Sequence, residues 1–168
     1  MTGYCAAAEF LLRPASEADL DAVVETLRRS FLASYGRFMP WEYIRQWTVD
    51  DLAANFARSA LSRLTVAESD GEIAGVSLAE RARLNELWVH PDHTRLGIGT
   101  LLVRHEEAKL AGQGYRQIAL NVYEANTAAR SFYRGLGFIT ADSFLTRNIP
   151  GGPLRVLVKT KQLGPAGR

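Results

Sequence analysis

Cysteine is nearly missing from this chain: of its 168 residues only Cys5 carries a thiol, and histidine appears three times. A lone thiol forms no internal disulfide, so stability has to come from a packed core. Charge of one sign is also scarce. Twenty Lys and Arg stand against eighteen Asp and Glu, for a formal net charge of +2 with no block of like charges, which argues against nucleic acid or an anionic membrane as a partner. No apolar run approaches the roughly 20 residues needed to cross a bilayer. No basic leader precedes a hydrophobic stretch, and no Asn-x-Ser/Thr sequon, repeat or low-complexity tract occurs. The cytoplasm is the expected compartment. With 47% hydrophobic and 23% charged residues, one soluble domain over 1–168 is expected. Its ordered core should span about 9–162, with fraying at Met1–Ala8 and Gly164–Arg168.

The pattern along the chain alternates helices with strands. Phe10–Arg13 reads as a short strand stopped by Pro14. Ser16 and Asp19 make a capping box ahead of a helix carrying Leu20, Val23, Val24, Leu27 and Phe31 on one face. A second box, Thr48 with Asp51, is expected to open a helix bearing Leu52, Ala53, Phe56 and Ala57. Between these two helices the stretch Tyr35–Trp41 is aromatic and irregular, either packing or the wall of a pocket. Asp70-Gly71 predicts a tight hairpin joining strands at 64–68 and 73–79, and a third strand follows from Arg83 to His90. After Gly97 comes a helix with Ile98, Leu101, Leu102, His105 and Ala108 on one face. Ile118, Leu120 and Val122 alternate as a strand, Asn126 is placed to cap a helix burying Ala129, Phe132 and Leu136, and Phe138–Arg147 with Leu154–Lys161 form a closing antiparallel pair.

The richest segment is His90-Pro91-Asp92-His93-Thr94-Arg95-Leu96-Gly97-Ile98-Gly99, which runs from an apolar strand into a helix. Two glycines one residue apart allow a tight turn and close approach of a ligand, and the helix behind them aims unpaired amides at it. That arrangement suits an anion such as a pyrophosphate. A Walker loop is excluded because Gly99 precedes Thr100 and Leu101 with no lysine. A dinucleotide fingerprint fails at its third glycine, where Leu102 stands, and Asn121 sits near the place where an acid would hold a ribose.

The segment Thr94-Arg95-Leu96-Gly97-Ile98-Gly99 after Leu87-Trp88-Val89 resembles the pyrophosphate motif of the GCN5-related N-acetyltransferases, [Gln/Arg]-x-x-Gly-x-[Gly/Ala]. Thr94 departs from the pattern at its first position, with Arg95 as a substitute charge. Downstream, Asn126-Thr127-Ala128-Ala129-Arg130-Ser131-Phe132-Tyr133-Arg134-Gly135-Leu136-Gly137-Phe138 is similar to the family's Asn-x-x-Ala-x-x-x-Tyr-x-x-x-Gly-Phe. The resemblance spans roughly Phe10 to Lys161. It implies an α/β fold: a mixed, mostly antiparallel sheet of about seven strands, splayed between the fourth and fifth, with helices on both faces. It also implies acetyl-CoA as co-substrate. Leu87, Trp88 and Val89 would bind the pantetheine arm, main-chain groups of Trp88 and Val89 meeting its amides. Thr94, Arg95, Leu96, Gly97, Ile98, Gly99 and Thr100 would hold the diphosphate, and Asn126 and Tyr133 would complete the site.

Acetyl transfer to an amine needs a neutral nitrogen, oxyanion stabilisation and a proton for the departing thiolate. Tyr133 is the expected donor. Glu86, beside the expected gap, is the first choice of base, ahead of Glu80 and Asn85, although a bulge in this strand would invert which residues face the site. Cys5 is a poor nucleophile candidate, and His90 and His93, flanking Pro91 with no acid cluster, do not make a metal site. The expected partner is an amine acceptor, small molecule or peptide, and relatives of this kind leave room for a homodimer. A non-catalytic acyl-CoA-binding or sensing module is the rival reading. A bulky β-branched residue at Gly99 is expected to abolish cofactor binding and spare the fold.

Overall fold

The computed structural model describes residues 9–147, 149 and 151–164; Cys5 and, apart from Gly164, the frayed ends expected at 1–8 and 164–168 lie outside them. Seven strands form one sheet in the order β1-β2-β3-β4-β5-β7-β6. They are β1 (Leu11–Pro14), β2 (Thr65–Ser69), β3 (Glu72–Glu80), β4 (Arg83–Val89), β5 (Gln117–Tyr123), β6 (Ile139–Leu145) and β7 (Arg155–Gln162). All neighbours are antiparallel except β4 and β5, which run parallel and share a single register pair, Arg83 with Ala119. The mixed, splayed sheet implied by the resemblance is therefore present.

The helices are α1 (Leu20–Tyr35), α2 (Trp41–Thr48), α3 (Leu52–Ala60), α4 (Ile98–Gly112) and α5 (Thr127–Gly135). One face of the sheet is covered by α1 and α3, where Val23, Val24, Leu27, Ala53 and Ala57 pack on Val66, Val76 and Leu78. The other face carries α4 and α5, whose Val103, Leu110, Phe132 and Leu136 meet Leu84, Ile118, Leu120 and Leu157. Ser16 and Asp19 form their capping box. Asp70 and Gly71 adopt φ of 52° and 82°, the pair of positive angles a two-residue hairpin turn requires.

Three expectations fail for identifiable reasons. Thr48 does not cap a following helix: its hydroxyl donates backwards to the Ile44 carbonyl and closes α2, a short helix that the aromatic stretch before it concealed. In α4 the buried stripe is Ile98, Leu102, Val103, Glu106 and Leu110, while Leu101 is 38% exposed. The stripe swallows a carboxylate, satisfied by the Ser77 hydroxyl at 2.7 Å and an ion pair to Lys109, so an apolar-only pattern misplaces the face. Pro14 ends β1 from inside it.

A fourth departure positions the site. Register along β3 and β4 pairs Leu78 with Glu86 but Ala79 with Leu84, so Asn85 is an extra residue on β4. A bulge shifts the alternation by one. Leu84 and Leu87, three apart, both face the α4 side, whereas Glu86 and Trp88 turn to the side covered by α1 and α2.

Candidate active site

Past Arg83 the two parallel strands part company, and the space between them continues into a cleft of about 1000 Å³. Its walls include Leu87 and Val89 of β4, the loop and first turn of α4, and Asn126, Ala129, Phe132 and Tyr133 of α5. On β4 the His90 amide donates to Ala74. By the antiparallel alternation, the main-chain groups of Trp88, opposite Val76, then point at β3. The expectation that Trp88 offers its main chain to the gap is corrected accordingly: Leu87 and Val89 do so, with the Val89 carbonyl already accepting from the Ser30 hydroxyl at 2.8 Å.

At the head of the cleft the chain turns through Arg95 (φ 69°) and Gly97 (φ 83°), both left-handed. Two such residues one apart aim successive amides at a common point, a concavity that suits anions. The first helical bond of α4 comes from Leu101 to Gly97, so the amides of Ile98, Gly99 and Thr100 stay free, as the first turn of any helix requires. A Cβ at Gly97 would meet nothing within 4 Å, whereas one at Gly99 would lie 3.2 Å from the Phe132 ring. Gly97 thus leaves room for a ligand and Gly99 lets α5 approach. Thr94 and Arg95 line the cleft, although the Thr94 hydroxyl is engaged by the Pro91 carbonyl at 3.0 Å. Leu96 lies in the loop but is 54% exposed and outside the cleft wall. A diphosphate fits the free amides, and an extended arm with amides fits the unpaired edge of β4.

Asn126 caps α5, its side-chain oxygen accepting from the Ala129 amide at 3.0 Å. About two turns on, Tyr133 lines the cleft between Phe132 and Phe138, with ring centroids 5.1 and 5.6 Å away. Burial raises its phenol pKa above the ordinary value, and the charge of Glu86 raises it further. Glu86 sits behind the cleft wall rather than in it. It accepts from the Trp88 indole at 2.7 Å, and burial pushes its carboxyl upward while that hydrogen bond opposes the rise. Neither second choice of base approaches this position. Glu80 pairs with Arg63 at 2.9 Å near the surface, and Asn85 is the exposed residue of the bulge. His93 faces Glu72 at 3.4 Å, and among the described residues no three metal-ligating side chains gather.

Sequence reasoning missed the tyrosines on the α1 and α2 side. Tyr35, Tyr43 and Tyr123 join Phe31, Phe38, Trp47 and Trp88 in one aromatic cluster. Burial raises the Tyr35 phenol, and the charges that add to this are those of Tyr123, Tyr133, Glu86 and Tyr43, so these groups share one neighbourhood. Only tertiary structure gathers residues from α1, α2, β4, β5 and α5; the signal available beforehand was the aromatic density of Tyr35–Trp41.

Residues 20–138, more than half of the chain, match the Acetyltransferase (GNAT) family. The chain is 28% identical over 145 residues to the spermidine N(1)-acetyltransferase of Thermoplasma acidophilum, covering 79% of this chain and 89% of that protein. It is 29% identical over 133 residues to the peptidyl-lysine N-acetyltransferase YiaC of Escherichia coli K12, covering 79% and 85%. Among solved structures it superimposes on the PaiA N-acetyltransferase of Thermoplasma acidophilum in complex with coenzyme A. There the TM-score is 0.75 at 23% identity, with 92% of this chain and 99% of that one covered. At that identity the likeness speaks for the fold alone. A fold split at one parallel strand pair, free amides where it splits, and a family match running through both motifs lead to one assignment: the chain belongs to the GNAT acetyltransferase family, acetyl-CoA-dependent N-acetyltransferases.

Proposed function

We propose that the chain transfers the acetyl group of acetyl-CoA directly to a primary amine bound in the same complex, with no acyl-enzyme on the way. The observation that carries this reading is the position of Tyr133 on the wall of the β4–β5 cleft, near enough to Glu86 for the carboxylate to raise the phenol's pKa. Acetyl-CoA supplies the activated acyl carbon. The amine nitrogen bonds to that carbon, the carbon–sulfur bond breaks, and the sulfur takes up a proton, with a net proton released to solvent.

Each role follows from chemistry at a named side chain. A lysine-like amine with a pKa near 10.4 is charged all but about one time in a thousand at pH 7, so a base must take its proton. Glu86, its carboxyl raised by burial, is a stronger base than a solvated carboxylate, and the Trp88 indole holds it still. Tyr133, raised by burial, keeps its proton throughout the working range and offers it where negative charge develops on sulfur. The same dry surroundings raise a thiol, so donor and acceptor stay matched. The amides from Arg95 to Thr100 receive the diphosphate and the Leu87 and Val89 main chain receives the pantetheine arm. Asn126 holds α5 and with it Tyr133.

Replacing Tyr133 by Phe tests the assignment. Loss of a general acid typically costs 10²–10⁴-fold, so kcat should fall about 100-fold or more while the CoA dissociation constant holds. An unchanged kcat refutes the role of Tyr133. CoA binding by the unaltered protein without turnover of any amine favours the sensing module instead.

A further inference from the structure

The cleft contains cations but no acid. Its charged or titratable wall residues are Arg37, His93, Arg95 and Tyr133, and among the described residues no Asp or Glu lines it. Arg37, on the exposed turn after α1, forms no ion pair among the described residues. The one carboxylate at hand is Glu86, under the aromatic cluster. Around it the rings are closely set: Tyr35 lies 5.5 Å from Phe38, 5.6 Å from Trp88 and 5.5 Å from Tyr123, and Phe38 lies 5.9 Å from Tyr123. The hydroxyls of Tyr35, Tyr43 and Tyr123 make no side-chain hydrogen bond among the described residues, while the Trp88 indole is committed to Glu86. Other acids in this quarter are spent or remote from it: Glu124 faces Arg155 at 3.7 Å, and Glu42 is exposed at the start of α2.

We propose that Glu86 and the tyrosines Tyr35, Tyr43 and Tyr123 form the acceptor's ammonium site, and that the acceptor carries one ammonium on an apolar stem with no second cation in reach. This rests on the acetyl-transfer reading above and narrows it to a substrate class. Aromatic faces and phenol oxygens stabilise one ammonium well. A second or third ammonium on the same molecule would enter an acid-free cleft and meet Arg37. Polyamines are disfavoured on that ground, although one of the relatives bears the name of a spermidine acetyltransferase.

Thiol release from acetyl-CoA, followed with the full chain, separates the possibilities with three acceptors: phenethylamine, a blocked peptide with one lysine among neutral residues, and spermidine. At least one of the first two should exceed spermidine in kcat/KM by tenfold or more, and which of them does so tells a free amine from a peptide. Arg37→Glu should narrow that ratio by raising spermidine turnover. Tyr35→Phe, which keeps the ring packing, should lower kcat/KM of the favoured acceptor about tenfold, mainly through KM, with the CoA dissociation constant unchanged. Spermidine turned over better than both monoamines overturns the acceptor class and leaves acetyl transfer standing, and an unchanged ratio in Arg37→Glu or an unchanged KM in Tyr35→Phe overturns the roles given to those residues. Thiol release with none of the three overturns the acceptor class, and only if no other amine is turned over either does acetyl transfer fall with it.

Discussion

Gly97→Ala isolates the phosphate loop from the fold. Gly97 sits at φ 83° and a Cβ there meets nothing within 4 Å, so the folded state loses no packing and suffers only the left-handed penalty of about 1–2 kcal/mol. In a domain of this size, that corresponds to a fall in Tm of roughly 2–8 °C, at about 2–4 °C per kcal/mol. Binding should suffer more. The methyl occupies space beside the free amides, and losing one charge-assisted hydrogen bond costs about 1.5–3 kcal/mol, or roughly 10- to 150-fold in affinity. Thermal denaturation against CoA concentration reads both effects at once. At a concentration about 100 times its dissociation constant CoA adds roughly 2.7 kcal/mol to the unaltered protein. A variant bound about 30-fold more weakly keeps only about 0.9 kcal/mol at that concentration. An undiminished CoA-induced shift in Gly97→Ala would refute the amide cradle. The same experiment at Gly99 does not discriminate, contrary to the expectation from sequence. Its Cβ would press the Phe132 ring at 3.2 Å and approach Val89 at 3.6 Å, adding an overpacking cost of about 1–3 kcal/mol and displacing the helix that carries Tyr133.

Two further outcomes concern pH. Burial raises the Glu86 carboxyl in the folded state, so this group favours folding while protonated and opposes it as pH rises through its folded pKa. Glu86→Gln should therefore gain Tm relative to the unaltered protein between pH 4 and pH 8 while losing acetyl transfer; a difference in Tm flat across that window would count against the burial argument. Asp19 behaves oppositely. Hydrogen bonds from Arg13 hold its carboxyl well below the usual carboxylate range, so its contribution is present above the unfolded pKa and fades as pH falls through the folded one. Asp19→Asn should cost about 1 kcal/mol at pH 6, a modest figure because Arg13 is partly exposed to solvent screening, and Tm curves for the two proteins should converge below about pH 4.

How much of this was legible beforehand depends on how local each signal is. Asp70-Gly71 and Asn126 announce themselves because a turn or a cap is settled by a few adjacent residues and their own backbone angles. The strand around Ile118 shows by alternation, since it buries Ile118, Leu120 and Val122 as one set. Helix α2 was hidden because eight residues give barely two turns of periodicity, and its closing contact, Thr48 to Ile44, looks in the sequence like the start of something else. Glu106 was unreadable for another reason: a buried carboxylate is tolerated only where partners exist, and Ser77, its hydrogen-bond donor, lies on a different element. The tyrosines about Glu86 share that property, since no spacing within the chain links Tyr35 to Tyr123.

One extra residue ties the gap to the chemistry. Before Asn85, β4 still pairs with β5 at Arg83 and Ala119, and the Ala119 amide donates to Ala82 at 2.9 Å. After Asn85 no pairing with β5 remains. A bulge bends its strand and increases the local twist, which swings the rest of β4 away from its parallel neighbour and leaves the Leu87 main chain and the Val89 amide without a strand partner. The same insertion reverses the alternation, carrying Glu86 from the α4 side, where Leu84 would have kept it, to the aromatic side. The gap between β4 and β5 and the placement of the proposed base beside it are thus two consequences of one local irregularity, which explains why strict alternation places the strand correctly yet misreads the face on which Glu86 lies.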